Sequence, residues 1–290
     1  MQLWKTTRFE IDLSQPKVMG IVNVTPDSFS DGGQHADTAS ALRHAEQLLK
    51  DGAHMLDIGG ESTRPGSPPL PLADELARVV PLVREAARLG VPISVDTYKP
   101  EVMAAVLDLG ADIVNDIWGL RRGSDTGGPS ALEVVRGHPA CGVCLMHMHR
   151  DPQTMQTAPM QGDVVPQVLL FLEQAAQALQ AQGVQKQRIV LDPGIGFGKT
   201  VAQNFALLTR QAELLAAGLP LLLGWSRKAS IGVALQGDDA APPPPGERVI
   251  GSVAAALMAV ERGARIVRVH DVRETVQALR IYQAVATEAA

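Results

Sequence analysis

Eight short apolar runs that read as β-strands alternate along this chain with eight longer stretches of helical periodicity. The strand-like runs fall at 17–24, 54–58, 92–96, 112–115, 141–146, 188–192, 220–224 and 265–269. The helical stretches fall at 39–51, 72–89, 100–109, 130–136, 164–181, 202–217, 247–262 and 273–286. In the first of these, Ala41, Leu42, Ala45, Leu48 and Leu49 follow the i, i+3, i+4, i+7 spacing of a helix with one apolar face. The strands are rich in Val, Ile and Leu with little alternation, which suits a parallel sheet covered by helices. Eight strand–helix units predict a single (β/α)8 barrel over 1–290, with a doubly wound open sheet as the alternative. A segment at 9–13 reads as a short strand outside the barrel, closing its bottom.

The length of 290 residues fits this fold, since such barrels take roughly 250 residues as one domain. Aromatic residues make up only 3 %, so the core must be aliphatic. The net charge of −5 argues against a general nucleic-acid binder. Residues 1–8 carry no apolar core of signal-peptide length, and no run approaches the roughly 18 apolar residues of a membrane span. A cytoplasmic enzyme with no membrane and no nucleic-acid partner is the expectation. Cys141 and Cys144 form a C-x-x-C. On a strand, residues three apart point to opposite faces, so these thiols are expected to be structural.

Function in such a barrel collects where the strands end. Those ends are polar in all eight units. The first continues as Asn23-Val-Thr-Pro-Asp-Ser-Phe-Ser-Asp-Gly-Gly33 and the second as Asp57-Ile-Gly-Gly-Glu-Ser-Thr-Arg-Pro-Gly66. The others end at Asp96, at Asn115-Asp116, at Met146-His-Met-His149, at Asp192-Pro-Gly-Ile-Gly-Phe-Gly-Lys199, at Gly224-Trp-Ser-Arg-Lys228 and at Arg268-Val-His-Asp271. One such residue is as readily a helix cap as a ligand; eight in succession point to a site. Asp96, Asn115 and Asp192 offer acceptors and an amide to a flat, nitrogen-rich heterocycle, and a carboxylate takes two parallel N–H bonds from an amidine-like edge. Lys228 offers a donor to a ring nitrogen or carbonyl. Arg268 and His270 fall on one side of a strand and suit phosphate or diphosphate, with an internal salt bridge to Arg268 as the other reading. Asn23 offers a hard oxygen of the kind that holds Mg²⁺ beside diphosphate. The glycine-rich run after Asp192 fails as a P-loop because Pro193 stands where the motif needs glycine. It reads instead as a tight loop shaping the barrel mouth. His147 and His149 read as packing or hydrogen-bonding residues.

At these residues the chain resembles the dihydropteroate synthase family. The two long motifs beginning at Asn23 and Asp57 match its active-site loops, and Ser94-Val-Asp-Thr97, Val114-Asn-Asp-Ile117, Leu191 to Lys199, Ser226-Arg-Lys228 and Val267-Arg-Val-His-Asp271 match in order. The resemblance implies condensation of (7,8-dihydropterin-6-yl)methyl diphosphate with 4-aminobenzoate, releasing diphosphate. It implies that Asp96, Asn115, Asp192 and Lys228 hold the pterin, that Thr63, Arg64, Arg268 and His270 take diphosphate, and that Asn23 binds Mg²⁺. Pro26, Phe29, Pro65 and Phe197 would line the 4-aminobenzoate pocket, and Asp27, Phe29, Arg64 and Lys228 would be catalytic. It also implies a homodimer and a sulfonamide target, the drug competing with 4-aminobenzoate as an arylamine mimic.

Three features depart from the family pattern. Ala229 stands where many members have serine, His149-Arg-Asp-Pro152 replaces a commoner Gln-Gly-x-Pro, and four prolines occupy 242–245. The second reads as a surface-loop change and the third as peripheral. Two rival functions remain at this point: pterin-dependent methyl transfer to or from a corrinoid protein, and a relative that binds pterin without condensing it.

Overall fold

The computed structural model describes residues 2–24, 34–63, 66–237 and 241–288. Eight parallel strands close into a barrel: β3 (Lys17–Asn23), β4 (Met55–Gly59), β5 (Ile93–Asp96), β6 (Ile113–Asp116), β7 (Gly142–Met146), β8 (Ile189–Asp192), β9 (Leu221–Leu223) and β10 (Ala264–Val269), with β10 returning to pair with β3. The open-sheet alternative is thereby excluded. Before the barrel, β1 (Leu3–Lys5) and β2 (Glu10–Asp12) form an antiparallel hairpin.

The helices outside the barrel are α1 (Gln34–Lys50), α2 (Leu72–Ala86), α3 (Pro100–Asp108), α4 (Ala131–Gly137), α5 (Val164–Ala181), α6 (Val201–Thr209), α7 (Gln211–Leu214), α8 (Ala229–Leu235), α9 (Val249–Glu261) and α10 (Val272–Glu288). The stretch expected as one helix over 202–217 breaks at Arg210 into α6, α7 and a 3-10 turn, Leu215–Ala217. Next to the break, the buried Gln211 amide donates to the Ala259 and Arg262 carbonyls, at 2.8 and 3.1 Å. That tertiary bond lies outside any local periodicity.

The period of two along each strand sorts the side chains. Met19, Met55, Ile113, Cys144, Val190, Leu222 and Ile266 point inward and form the barrel floor with Trp4, Ile11 and Leu13 of the hairpin segment. Their neighbours, among them Val18, Leu56, Val114, Val143, Leu191 and Val267, point outward against the helices. Each fully buried aliphatic side chain stabilises the fold by about 1.5–3 kcal/mol. The indole N–H of Trp4 donates to the Arg188 carbonyl at 2.9 Å, and Arg8 pairs with the buried Asp112, so the hairpin is tied to the bottom by polar as well as apolar contacts. Cys141 sits in the outer cluster and Cys144 in the inner one, on opposite faces of the barrel wall. Burial raises the pKa of both thiols.

Candidate active site at the barrel mouth

Two residues above the apolar floor, the inward positions become polar. Asp57 follows Met55 on β4, Asn115 follows Ile113 on β6, Asp192 follows Val190 on β8 and Arg268 follows Ile266 on β10. Asp96 tops β5, and Asn23, in register with Gly59, tops β3. A Cβ on Gly59 would lie 3.6 Å from the Cβ of Asp96 and 3.7 Å from the side-chain amide oxygen Oδ1 of Asn23. Gly59 therefore leaves open the gap between these two oxygen-bearing side chains.

The centre of the mouth is a charge cluster. Arg268 donates through Nε to Asp57 Oδ2 at 2.5 Å and through Nη2 to Asp96 Oδ2 at 2.7 Å. Asn115 donates to the same Asp57 oxygen at 3.1 Å, while Asp57 Oδ1 is buried without a hydrogen-bond partner. Burial pushes the Asp96 carboxyl up to about 7, against the pull of Arg268. Of the two sequence readings of Arg268, the structure realises the internal ion pair. The guanidinium is held by two carboxylates, Asp57 and Asp96. His270 has a different partner: its backbone N–H donates to Ser226 Oγ at 3.1 Å, and its Nδ1 lies 3.0 Å from that oxygen. Ser226 Oγ can accept from the backbone N–H and still either donate to Nδ1 or accept from it, so it holds the ring in place in either tautomer.

Opposite this cluster stand Asp192 and Lys228. Asp192 Oδ1 accepts from the Gly194 N–H at 2.7 Å, and burial raises its pKa while Lys228 opposes the rise. The Lys228 ammonium donates to the Ile195 carbonyl and lies 5.0 Å from the centre of the Phe197 ring. Burial lowers it to about 8. Phe197 packs on an apolar wall of Tyr98, Ile117, Met146, Met148 and Met155.

The glycine-rich loop that carries Ile195 and Phe197 needs its glycines. Gly194, Gly196 and Gly198 all have positive φ, at 69°, 86° and 70°. A Cβ on Gly194 would stand 1.9 Å from the His147 carbonyl oxygen, so no other residue fits there. Below the loop, buried Lys199 donates to the Gly194 and Phe197 carbonyls at 2.8 and 3.1 Å and meets His147 Nδ1 at 2.9 Å. Burial lowers Lys199 to about 7 and His147 to about 2.

Of the remaining sequence-predicted residues, Thr63 is half-buried just beyond Ser62, whose hydroxyl meets Ser67 Oγ at 3.0 Å. Pro26, Asp27, Phe29, Arg64 and Pro65 lie outside the described residues. Among the described residues, no group of three or more His, Cys, Asp and Glu side chains is arranged to hold a metal ion. A hard cation here would rest on few protein oxygens, and the Asn23 side-chain oxygen Oδ1 beside Asp96 is of the right kind.

Residues 19–270 match the profile of the pterin-binding enzymes. The dihydropteroate synthase of Neisseria meningitidis serogroup B is 50 % identical over 287 residues, covering 97 % of both chains. The chain belongs to the dihydropteroate synthase family. Its fold superposes on Burkholderia cenocepacia dihydropteroate synthase complexed with 7,8-dihydropteroate with a TM-score of 0.85 at 48 % identity, covering 99 % of this chain and 97 % of that one. For the Yersinia pestis dihydropteroate synthase with a sulfonamide drug complex, the TM-score is 0.88 at 44 % identity, covering 99 % of each chain.

Against the dihydropteroate synthase pattern, the structure adds residues that sequence reasoning left without a role. Asp57 is the hub of the central cluster. Its signal was available, because it is the first residue of the second long motif and lies at the height of Asn115 and Asp192. Ser226, in the short motif with Lys228, orients His270. A third addition is a buried triad under the second motif: Lys99 pairs with Glu61 and Glu75, and Tyr98 donates to Glu61 at 2.9 Å. No spacing links these residues, so only the fold reveals them. The segment His149 to Pro152, read from the sequence as a surface-loop change, docks on the second motif. The Gly66 N–H donates to the Pro152 carbonyl at 3.1 Å, and Gln153 Nε2 donates to the Ser67 carbonyl at 3.2 Å.

Proposed function

We propose that this chain, as one pterin-binding barrel domain, condenses (7,8-dihydropterin-6-yl)methyl diphosphate with 4-aminobenzoate to give 7,8-dihydropteroate and diphosphate. The observation that carries this reading is the ring of Asp57, Asp96, Asn115, Asp192, Lys228 and Arg268 at one barrel mouth, inside a chain of the dihydropteroate synthase family. Lys228 after β9 and Arg268 on β10 bring donors, and Asp57, Asp96, Asn115 and Asp192 on β4, β5, β6 and β8 bring acceptors, the two kinds of group a pterin edge pairs with. Asp192 and Asn115 take the amino and ring N–H groups, and Lys228 donates to a ring acceptor. Asp57, Asp96 and Asp192 face Lys228 and Arg268, and as Asp96 loses its proton above about pH 7 the mouth becomes anionic. That charge favours positive character on the pterin as the bond from its methylene carbon to the diphosphate oxygen breaks.

Thr63, Arg64 and His270 would hold the departing diphosphate, with Arg268 at the edge between pterin and anion. Mg²⁺ on the Asn23 oxygen would neutralise charge on the diphosphate. The arylamine nitrogen then forms its bond to the methylene carbon and gives up one proton to solvent or to the released anion. Asp27, Phe29 and Arg64 would close over this step, and Pro26, Phe29, Pro65 and Phe197 would line the aminobenzoate pocket and exclude water. A sulfonamide would compete in that pocket.

A homodimer fits one further feature. Ile250 and Met258 on α9 and Ile281 and Val285 on α10 are exposed at 85, 46, 69 and 66 %, and these two helices lie side by side. Exposed large aliphatics on two adjoining helices suit a second copy of the chain. No helix among the described residues is long and apolar enough to cross a membrane, and a cytoplasmic location accords with the substrates.

The decisive experiment supplies purified protein with Mg²⁺, the pterin diphosphate and 4-aminobenzoate. Dihydropteroate and diphosphate should appear together. Pterin binding without product would favour the non-catalytic relative, and methyl transfer from a methylated pterin to a corrinoid would favour the rival chemistry.

A further inference from the structure

The backbone at Arg227 has φ of +59°, in the left-handed region that favours glycine. It is the third residue of a turn closed by the Lys228 N–H on the Trp225 carbonyl at 3.2 Å. Its neighbours on either side are Ser226, which orients His270, and Lys228. A non-glycine residue keeps such a conformation only where its surroundings over-determine it. Here they do so on three sides. The Arg227 N–H donates to Ser252 Oγ at 2.9 Å, its guanidinium holds Asp271 through two bonds at 3.0 and 2.5 Å, and its carbonyl accepts from Arg248 Nη1 at 2.9 Å.

Arg248 is itself braced. Its Nε donates to the Pro243 carbonyl at 2.7 Å, and Pro243 is half-buried while Pro242, Pro244 and Pro245 are exposed. Pro244 is extended, with φ −62° and ψ 160°, the conformation a proline run adopts without further ordering. On the other side, a Cβ at Gly232 of α8 would come within 2.7 Å of Arg248 Nε. Glycine there leaves room for the guanidinium to lie flat on the helix.

We propose that Arg248, braced by the 242–245 proline run and seated on Gly232, is a positioning residue that holds Arg227 in its left-handed conformation and thereby sets Ser226 and Lys228 at the barrel mouth. The proline run thus acts on the site from outside it. The functional part of this inference rests on the reading of Lys228 as a pterin ligand.

The test is a double-mutant cycle. Glycine at 227 adopts positive φ without strain, so it should make Arg248 dispensable. Arg248→Met in the parent background should weaken binding of 6-hydroxymethylpterin by about ten-fold by calorimetry. In the Arg227→Gly background the same change should cost less than about three-fold. Arg248→Lys should recover part of the loss, and thermal melting should move far less than affinity. If Arg248→Met does not fold, Gly232→Ala displaces the same guanidinium and is read in the same two backgrounds. Equal losses in both backgrounds would overturn the proposal, as would a crystal structure of Arg248→Met with residue 227 still at positive φ and Lys228 in place. A parent protein that binds no pterin would refute the functional reading alone, since the backbone at 227 still decides the role of Arg248.

Discussion

Arg268 on β10 and Asp96 on β5 meet across the barrel mouth, Nη2 to Oδ2 at 2.7 Å, although β3 and β4 lie between their strands. The same guanidinium also holds Asp57. One cation does not fully compensate two buried carboxylates, so burial, with Asp57 adding to it, holds Asp96 at about 7 against an ordinary 3.8.

That elevation makes stability depend on pH with a definite sign. Between about pH 4 and 7 the folded state keeps a proton on Asp96 that the unfolded chain releases, so this contribution is lost as pH rises to 7. Asp96→Asn should remove its share of that decline, leaving the shares of Asp116, which burial raises to about 6, and of Asp192 and Glu75, which burial also raises. Denaturant melts at pH 5 and pH 8 check this. The variant should gain stability relative to the parent at pH 8, and an unchanged pH dependence would contradict the assignment.

Lys199 acts in the opposite window. Burial lowers it from 10.5 to about 7, so between those values the unfolded chain holds a proton that the folded one lacks. Its contribution grows with pH from 7 to 10.5 and is lost as pH falls through 7. Lys199→Met should flatten the stability profile between pH 8 and 10. It should also loosen the 194–198 loop, because the Gly194 and Phe197 carbonyls lose their donor. Hydrogen exchange at Gly194–Gly198 reads that second effect.

Removing the cation of the Lys99 triad leaves Glu61 and Glu75 facing each other in a buried site. Lys99→Met should destabilise the protein by about 3–5 kcal/mol in urea melts. Lys99→Met/Glu75→Gln should recover part of this, since one uncompensated carboxylate is gone. A double variant no better than the single one would show that the loss comes from packing rather than charge.

Asp192→Ala and Lys228→Ala should each weaken pterin binding more than about ten-fold by calorimetry. Each leaves a polar edge of the ring unpaired in a site shielded from water, at about 1–3 kcal/mol. Unchanged affinity in both variants would place the ring elsewhere.

Ile281→Glu puts a charge on one of the most exposed aliphatic positions of α10. If two copies meet there, sedimentation should show a dimer for the parent and a monomer for the variant at micromolar concentration. A parent that sediments as a monomer removes the proposed interface.

The sequence by itself determined the barrel, because eight repeats of a strand-length apolar run and a helix-length periodic stretch leave few topologies. It also determined most of the mouth. Asp96, Asn115, Asp192, Lys228, Arg268 and His270 all end strands or open the loops after them, and in a parallel barrel those ends must converge. Tertiary structure alone decided how these groups pair. Arg268 joins Asp57 and Asp96, because partners across a closed barrel are set by register and tilt, not by distance along the chain. The Lys99 triad, the Ser226–His270 bond and the reach of Arg248 to Arg227 were illegible for the same reason: each joins elements that no local period relates.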